Sequence, residues 1–118
     1  MDNKLLEILD NILITIESLD ARLYNSLSRK ALEMVIDIAY NVVKNDKLPD
    51  EHLVYGIALM TLDMISKEQV TNITSKKIKD VAITLGSGYN ASKWKLWYDM
   101  LLNGDADGVY ALRYVGVG

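Results

Sequence analysis

Residues 3–23 have the sequence NKLLEILDNILITIESLDARL, and their spacing decides the fold. Apolar side chains recur in this stretch at alternating steps of four and three residues, which places them on one side of an α-helix. Asp2, just before the stretch, is a suitable N-cap residue. The sequence therefore predicts a first helix with an apolar seam formed by Leu5, Leu9, Ile12, Ile16, Leu19 and Leu23.

The seam has two interpretations. In the first, the helix faces the core of its own subunit, and Leu6, Ile8 and Leu13 widen the stripe enough to contact more than one neighbouring helix. A seam of this length is at the lower limit of what a coiled coil requires, which favours this interpretation. In the second, the helix forms an oligomer seam with another subunit through Leu5, Leu9, Ile12 and Ile16.

Two more helices are predicted before residue 68. The apolar phase shifts near Ser28, so we expect a second helix from about residue 29 to 45. One long bent helix is the alternative, because no glycine or proline forces a break. Pro49 suits the first position of a third helix that continues to about residue 67, and Asp50 and Glu51 favour its dipole. Together the three helices predict a bundle joined by short loops.

The pattern changes after Val70. Between about residues 71 and 88, β-branched and apolar residues nearly alternate with polar or small ones, and Gly86-Ser87-Gly88 ends the run. We predict a strand-like or hairpin arm at 71–88, and the alternative is a loop that orders only on assembly. Ser92 is a suitable cap for a last helix, whose apolar residues are Trp94, Trp97, Tyr98, Leu101 and Leu102.

The chain after residue 103 does not continue the helical pattern. Glycine and aspartate residues at 103–108 stop the last helix, and residues 109–118 are too few to form a core of their own. An apolar segment of this kind docks on the bundle or binds a partner, because free apolar surface promotes aggregation. We therefore predict a mainly α protein: a single helical domain at 1–103, with four to five helices and the arm, followed by an extended C-terminal tail at 104–118.

The composition bounds the class of protein. The chain has 118 residues, half of them apolar and a quarter charged, which is typical of one globular domain. No run reaches the roughly 18 consecutive apolar residues of a membrane span, so we expect no membrane insertion. The start of the chain, where acidic residues soon follow Lys4, does not resemble a signal peptide. Because the chain has no cysteine, disulfides and thiolate chemistry are excluded.

Motifs for catalysis or metal binding are incomplete. His52 is the only histidine, so the usual histidine and cysteine ligand sets cannot form. Tyr114 stands where an EF-hand loop needs its bidentate glutamate, although the start of such a loop is matched by Asn103, Asp105, Asp107 and Gly108. The spacing of the other acids is that of solvated surface charges, as at Asp63, Glu68, Asp80 and Asp99. We expect no enzymatic activity, no metal and no cofactor.

The charge distribution offers the best candidate for binding. A net charge of −3 argues against tight general binding to nucleic acid, which requires many basic groups. The basic residues concentrate in a basic island at 76–95, which could bind single-stranded nucleic acid by stacking or an acidic protein surface through aromatic anchors. The simpler alternative is that the tryptophans are buried and the lysines are solvated. The island contains Lys76, Lys77, Lys79, Lys93 and Lys95, interleaved with Tyr89, Trp94 and Trp97.

Three features in order suggest a family. Leu48-Pro49-Asp50 opens an apolar helix, a strand-like stretch at 78–84 with the sequence IKDVAIT follows it, and a short final helix ends at Leu101-Leu102. Over roughly residues 30–103, this order resembles the head–tail connector (adaptor) proteins of long-tailed bacteriophages, also called DNA-packaging or head-completion proteins.

The resemblance implies a structural protein of the virion. Proteins of this family form a homo-oligomeric ring of about a dozen copies at the neck, between the portal vertex of the head and the tail. The ring extends the channel through which double-stranded DNA passes without sequence-specific binding, and it docks the tail or stopper protein. The resemblance also implies synthesis in the cytoplasm of the bacterial host and no catalysis.

Family members commonly contact the portal protein or a neighbouring subunit through an extended arm or terminus. On that basis we expect the lysines of the arm and the residues of the C-terminal tail to bind a partner. The candidate partner-binding residues are Lys76, Lys77, Lys79, Tyr110, Arg113, Tyr114, Val115 and Val117. The tail could add a strand to the sheet edge of its partner.

A function of another class remains open from the sequence. The chain could be a small helical regulatory protein that binds a host or phage protein, or binds nucleic acid through the basic island. A nucleic-acid complex weakens steeply as salt rises, whereas a ring held by apolar packing does not. Ring formation and salt dependence therefore separate the two interpretations.

Overall fold

The computed structural model describes residues 1–68 and 92–109, and these are mainly helical, as the sequence predicts. The predicted arm at 71–88 and residues 110–118 of the predicted tail lie outside the described residues. A 3-10 turn (Asp50–His52) follows Pro49 and leads into the fourth helix, and residues 106–109 form a further helical turn. The helices are α1 (Asn3–Leu19), α2 (Ala21–Asn25), α3 (Arg29–Asn45), α4 (Leu53–Glu68) and α5 (Lys93–Leu102).

Three helices begin at a side chain that accepts a backbone hydrogen bond. Such a cap satisfies an N–H group that has no partner within the helix. The caps predicted at Asp2 and Ser92 are confirmed, and Ser28 caps α3 in the same way. The bonds run from Lys4 N to Asp2 Oδ1 (2.8 Å), from Ala31 N to Ser28 Oγ (3.2 Å) and from Lys95 N to Ser92 Oγ (3.3 Å).

Asp20 separates α1 from α2. Its backbone is extended, with φ −156° and ψ 91°, and its N–H donates to Ile16 O at 2.9 Å. Its carboxylate accepts from Leu23 N at 3.0 Å and so caps α2. The prediction that the first helix continues to Leu23 is therefore wrong, and the chain up to residue 45 is not one long bent helix. An aspartate that caps a new helix ends the preceding one.

The loop between α3 and the 3-10 turn closes the end of α3. Lys47 N donates to Lys44 O at 3.2 Å and Leu48 N donates to Val43 O at 3.5 Å, a pattern known as the Schellman motif. Lys47 occupies its left-handed position, with φ 59°. The motif turns the chain back, so that Leu48 is buried against the following helix.

Helix α4 lies at the centre of the fold. α1, α3 and α5 all pack against it, and every residue from 55 to 65 is buried. A helix that is apolar on all sides is suited to such a position. The confirmed core residues of α4 include Leu53, Ile57, Leu59, Met60, Met64 and Ile65.

The seam of α1 belongs to this core. Its residues are almost fully buried within the subunit, so the core-facing interpretation is the one that the structure bears out. An oligomer seam at the same positions would require α1 to leave α4, because one apolar stripe cannot pack against two partners at once. The four residues proposed for that seam have exposed fractions of 0% (Leu5), 8% (Leu9), 0% (Ile12) and 0% (Ile16).

Candidate functional site

The candidate partner-binding residues of the arm and of the tail all lie outside the described residues. These residues are Lys76, Lys77, Lys79, Tyr110, Arg113, Tyr114, Val115 and Val117. What the structure describes is where their segments join the fold. The arm segment, residues 69–91, leaves α4 after Glu68 and rejoins at Ser92, and the tail follows Val109.

The tryptophans of the basic island are core residues. Trp94 and Trp97 are 3% and 6% exposed, and their rings meet edge to face with centroids 5.4 Å apart. Edge-to-face packing is a favourable arrangement for buried aromatic rings. Neither ring is therefore accessible for stacking on a nucleic-acid base, and among the three interpretations of the island the one with buried tryptophans holds at these two positions.

The two described lysines of the island lie beside aromatic rings. Lys93 Nζ is 4.5 Å from the ring centroid of Trp94, and Lys95 Nζ is 5.3 Å from that of Tyr98. Lys95 also forms an ion pair with Asp99 at 2.7 Å, one turn further along α5. Lys93 is exposed and Lys95 is half-buried, so the N-terminal part of α5 presents basic groups at its surface.

Asp63 lies in an environment different from the one that we predicted from the sequence. We expected a solvated surface charge, but Asp63 is fully buried, because helices cover α4 on all sides. Ser92 Oγ donates to Asp63 Oδ1 at 2.5 Å, and Lys67 Nζ lies 3.4 Å from Asp63 Oδ2. A buried carboxylate is tolerated when it is paired and hydrogen-bonded in this way. The sequence did carry a signal for this burial. Most residues from Leu59 to Ile65 are apolar, so apolar side chains surround Asp63 on every side of the helix.

Asp63, Lys67 and Ser92 form what we call the arm-base cluster. Asp63 precedes the end of α4 by little more than one turn, and Ser92 is the first described residue after the arm segment. The hydrogen bond between them therefore holds the C-terminal part of α4 against the start of α5. Because Asp63 is fully buried, we interpret the cluster as a structural one that joins α4 to the start of α5.

The turn after α5 is capped by its own acid. Gly108 N donates to Asp105 Oδ1 at 3.3 Å, and the helical turn at 106–109 follows. Val109 is completely buried. The residues that match the start of an EF-hand loop therefore form a helix start, and the chain is anchored in the core at the point where the tail segment begins.

A cleft of about 340 Å³ lies between the start of α1, the C-terminal half of α3 and the 3-10 turn. Its rim carries paired charges: Lys4 Nζ is 3.0 Å from Asp50 Oδ1, and Lys44 Nζ is 4.0 Å from Asp2 Oδ2. The hydrogen bond to Asp50 raises the pKa of Lys4. Because acids and bases pair with each other here, the cleft offers no concentrated charge to a ligand.

Two exposed helix faces carry large apolar residues. On α1, Leu6 and Ile14 are 54% and 64% exposed, and on α5, Leu96 is 54% exposed. We expected Leu6 to widen the buried stripe, and this prediction is wrong, because Leu6 lies on the outer side of α1. Ile14 and Leu96 were not among the predicted surface residues. For α1 the sequence pattern does indicate this exposure. Leu6, Asp10 and Ile14 follow each other at steps of four, which places them opposite the buried seam.

Within residues 1–68 and 92–109, His, Asp and Glu side chains do not gather in any group of three that could hold a metal ion. None of the helices in the same residues is both long and apolar enough to cross a membrane. Comparisons of the chain with protein-family models, with curated proteins and with solved structures find no match.

Proposed function

We propose that this chain is a structural protein of the head–tail connector type, which forms a ring between the portal vertex of a phage head and the tail. The observation that carries the proposal is the arm-base cluster. It joins the C-terminal part of α4 to Ser92, so that the described parts of the chain before and after residues 69–91 lie together. A subunit of this design fixes its body in a ring and contacts a neighbour or the portal protein through the arm.

The residue before the tail segment is held in the core. Val109 is buried, and its N–H donates to Asp105 O at 3.3 Å. Residues 110–118 therefore start from a fixed point in the core. The proposed partner-binding residues of this segment are Tyr110, Arg113, Tyr114, Val115 and Val117. Because Val109 is fixed in the core, a partner bound to them would be attached to the bundle itself.

The charge of the chain is compatible with a DNA channel. A net charge of −3 repels the phosphate backbone weakly, so that DNA can slide through a ring without being held. Ring assembly needs heterologous interfaces, in which one surface of a subunit meets a different surface of the next. The exposed apolar faces of α1 and α5 are candidates for two such surfaces.

Native mass spectrometry of the purified chain over a range of concentrations, with negative-stain electron microscopy, tests the proposal. We expect a closed ring of about a dozen subunits that persists as salt is raised. A monomer at every concentration that binds single-stranded DNA in low salt, and loses it as salt rises, would support the regulatory alternative instead.

A further inference from the structure

The exposed face of α1 combines apolar and acidic side chains. Leu6, Asp10 and Ile14 lie in line at steps of four, and Glu7 and Glu17 stand beside them. All are exposed, and Leu6 and Ile14 are the most exposed large apolar residues of the helix. Arg29 of α3 contacts this face, with its Nη2 atom 4.0 Å from Asp10 Oδ1. The α1 face is therefore an apolar strip flanked by acidic side chains.

The exposed face of α5 has the opposite character. Leu96 lies at its centre, with the half-buried Met100 one turn further on and the exposed Lys93 one turn before. Lys95 and Asp99 pair with each other at its edge. Among the described residues of this face, the exposed group that adds charge beyond that pair is Lys93, so the face is basic.

The two faces cannot meet within one subunit. α1 and α5 each pack against α4 with their buried sides, and the two helices do not form a packing interface of their own. Their outer faces are therefore turned away from α4 in each case. A contact between an acidic apolar face and a basic apolar face then requires two copies of the chain.

We propose that the α1 face of one subunit binds the α5 face of the next, with Leu6 and Ile14 packed against Leu96 and the acids of α1 near Lys93. This inference rests on the proposed ring and names its interface. Burial of the three apolar side chains drives the contact, and the opposite charges set its orientation. Because the two surfaces differ, the contact is heterologous and repeats from subunit to subunit.

Two single variants and their mixture test the contact. Ile14→Glu removes the α1 face and leaves the α5 face intact, whereas Leu96→Glu does the reverse. We expect each variant alone to be monomeric by native mass spectrometry. An equimolar mixture should form a one-to-one dimer and nothing larger, because the remaining α5 face of the first variant can bind only the remaining α1 face of the second.

The control is Ala21→Glu, an apolar-to-acidic change at an exposed position on neither face, which should assemble like the unmodified chain. Circular dichroism checks that all three variants keep their helix content. Single variants that assemble normally, or a mixture that stays monomeric, would overturn the α1–α5 contact.

The outcome for the unmodified chain separates this inference from the proposed function. A closed ring that neither variant disrupts leaves the connector function standing and removes the α1–α5 contact. An open filament that both variants dissolve keeps the contact and removes the ring. An unmodified chain that is monomeric at all concentrations overturns the contact.

Discussion

The hydroxyl of Tyr98 donates a hydrogen bond of 2.7 Å to Asp46 Oδ2 and so joins α5 to the C-terminal end of α3. Tyr98 is fully buried, whereas Asp46 is exposed. A carboxylate at the C-terminus of a helix opposes the helix dipole, so Asp46 is unfavourable for α3 in isolation. The hydrogen bond across the bundle offsets that cost and fixes how α5 sits beside α3.

We expect Tyr98→Phe to lower the free energy of unfolding by about 1.5 to 3 kcal/mol, the range for a hydrogen bond to a charged group. Urea denaturation measures this. The ring still packs in the same cavity, so a loss much larger than this range would contradict the interpretation. Asp46→Asn, which keeps an acceptor oxygen, should cost less than Tyr98→Phe.

We expect the Tyr98–Asp46 pair to make the free energy of unfolding fall with rising pH in the alkaline range. Burial, and then the hydrogen bond to Asp46, raises the pKa of Tyr98 above its ordinary value of 10.0. A group whose pKa is raised by folding stabilises the folded state below its unfolded pKa, and the contribution is lost as the pH rises above that value. Between pH 10 and pH 12, the unmodified chain should therefore lose stability faster than Tyr98→Phe. Parallel pH profiles of the two would contradict this.

Local chemistry made much of the helical framework predictable. The bounds 29–45 and the caps Asp2 and Ser92 follow from residues within one turn of each helix end, and the structure has them as predicted. Burial could not be predicted in the same way. Asp63 was taken for a surface charge, because only the packing of α1, α3 and α5 around α4 decides that its position is interior.

The functional surfaces were less predictable for a related reason. An apolar stripe on α1 has the same spacing whether it packs in a subunit or between subunits, so the seam alone could not decide between the two. The residues left over after packing, Leu6 and Ile14, become candidates for an interface only when the buried side of α1 is known.

Gly56 lies in close contact with the side chain of Leu48. A Cβ atom at Gly56 would overlap Leu48 Cδ2 and would lie 3.5 Å from Tyr98 Cε1. Gly56→Ala gains about 1 kcal/mol of helix propensity but overpacks a filled site, which costs about 1 to 3 kcal/mol. We expect a net loss of stability in urea denaturation. In a Leu48→Ala background the same change should stabilise, and additive effects of the two substitutions would argue against the contact.

Lys47 offers a route to a more stable chain. A residue with a side chain is disfavoured at its φ of 59°, and glycine is the usual residue at this position of a Schellman motif. Lys47→Gly should raise the free energy of unfolding by about 0.5 to 1 kcal/mol, after the added flexibility of the unfolded chain is counted. Lys47→Ala keeps the strained backbone and serves as the control. Equal thermal stability of the two variants would indicate that the backbone is relaxed there.

The arm-base cluster should respond differently to removal of each member. Lys67→Met leaves the buried carboxylate of Asp63 without its ion-pair partner, which costs about 3 to 5 kcal/mol for a buried pair. Ser92→Ala removes the cap of α5, which costs about 1 kcal/mol, and the hydrogen bond to the buried carboxylate, which costs about 1.5 to 3 kcal/mol. If the cluster holds the base of the arm, limited proteolysis within 69–91 should accelerate in Ser92→Ala more than its loss of global stability explains. Equal acceleration in Tyr98→Phe, matched for stability, would assign the effect to global unfolding.

Removal of residues 110–118 tests the tail directly. The cut leaves Val109, whose side chain is buried and whose N–H is bonded to Asp105 O, so circular dichroism and thermal unfolding should be unchanged. If the apolar and aromatic side chains after Val109 make the proposed portal contact, co-sedimentation with purified portal rings should be lost. A tail of equal length made of glycine and serine is the control, since it keeps the chain length and removes those side chains. If the truncated chain sediments with the rings as the full chain does, the portal contact does not depend on the tail, and the arm at 69–91 becomes the segment to change next.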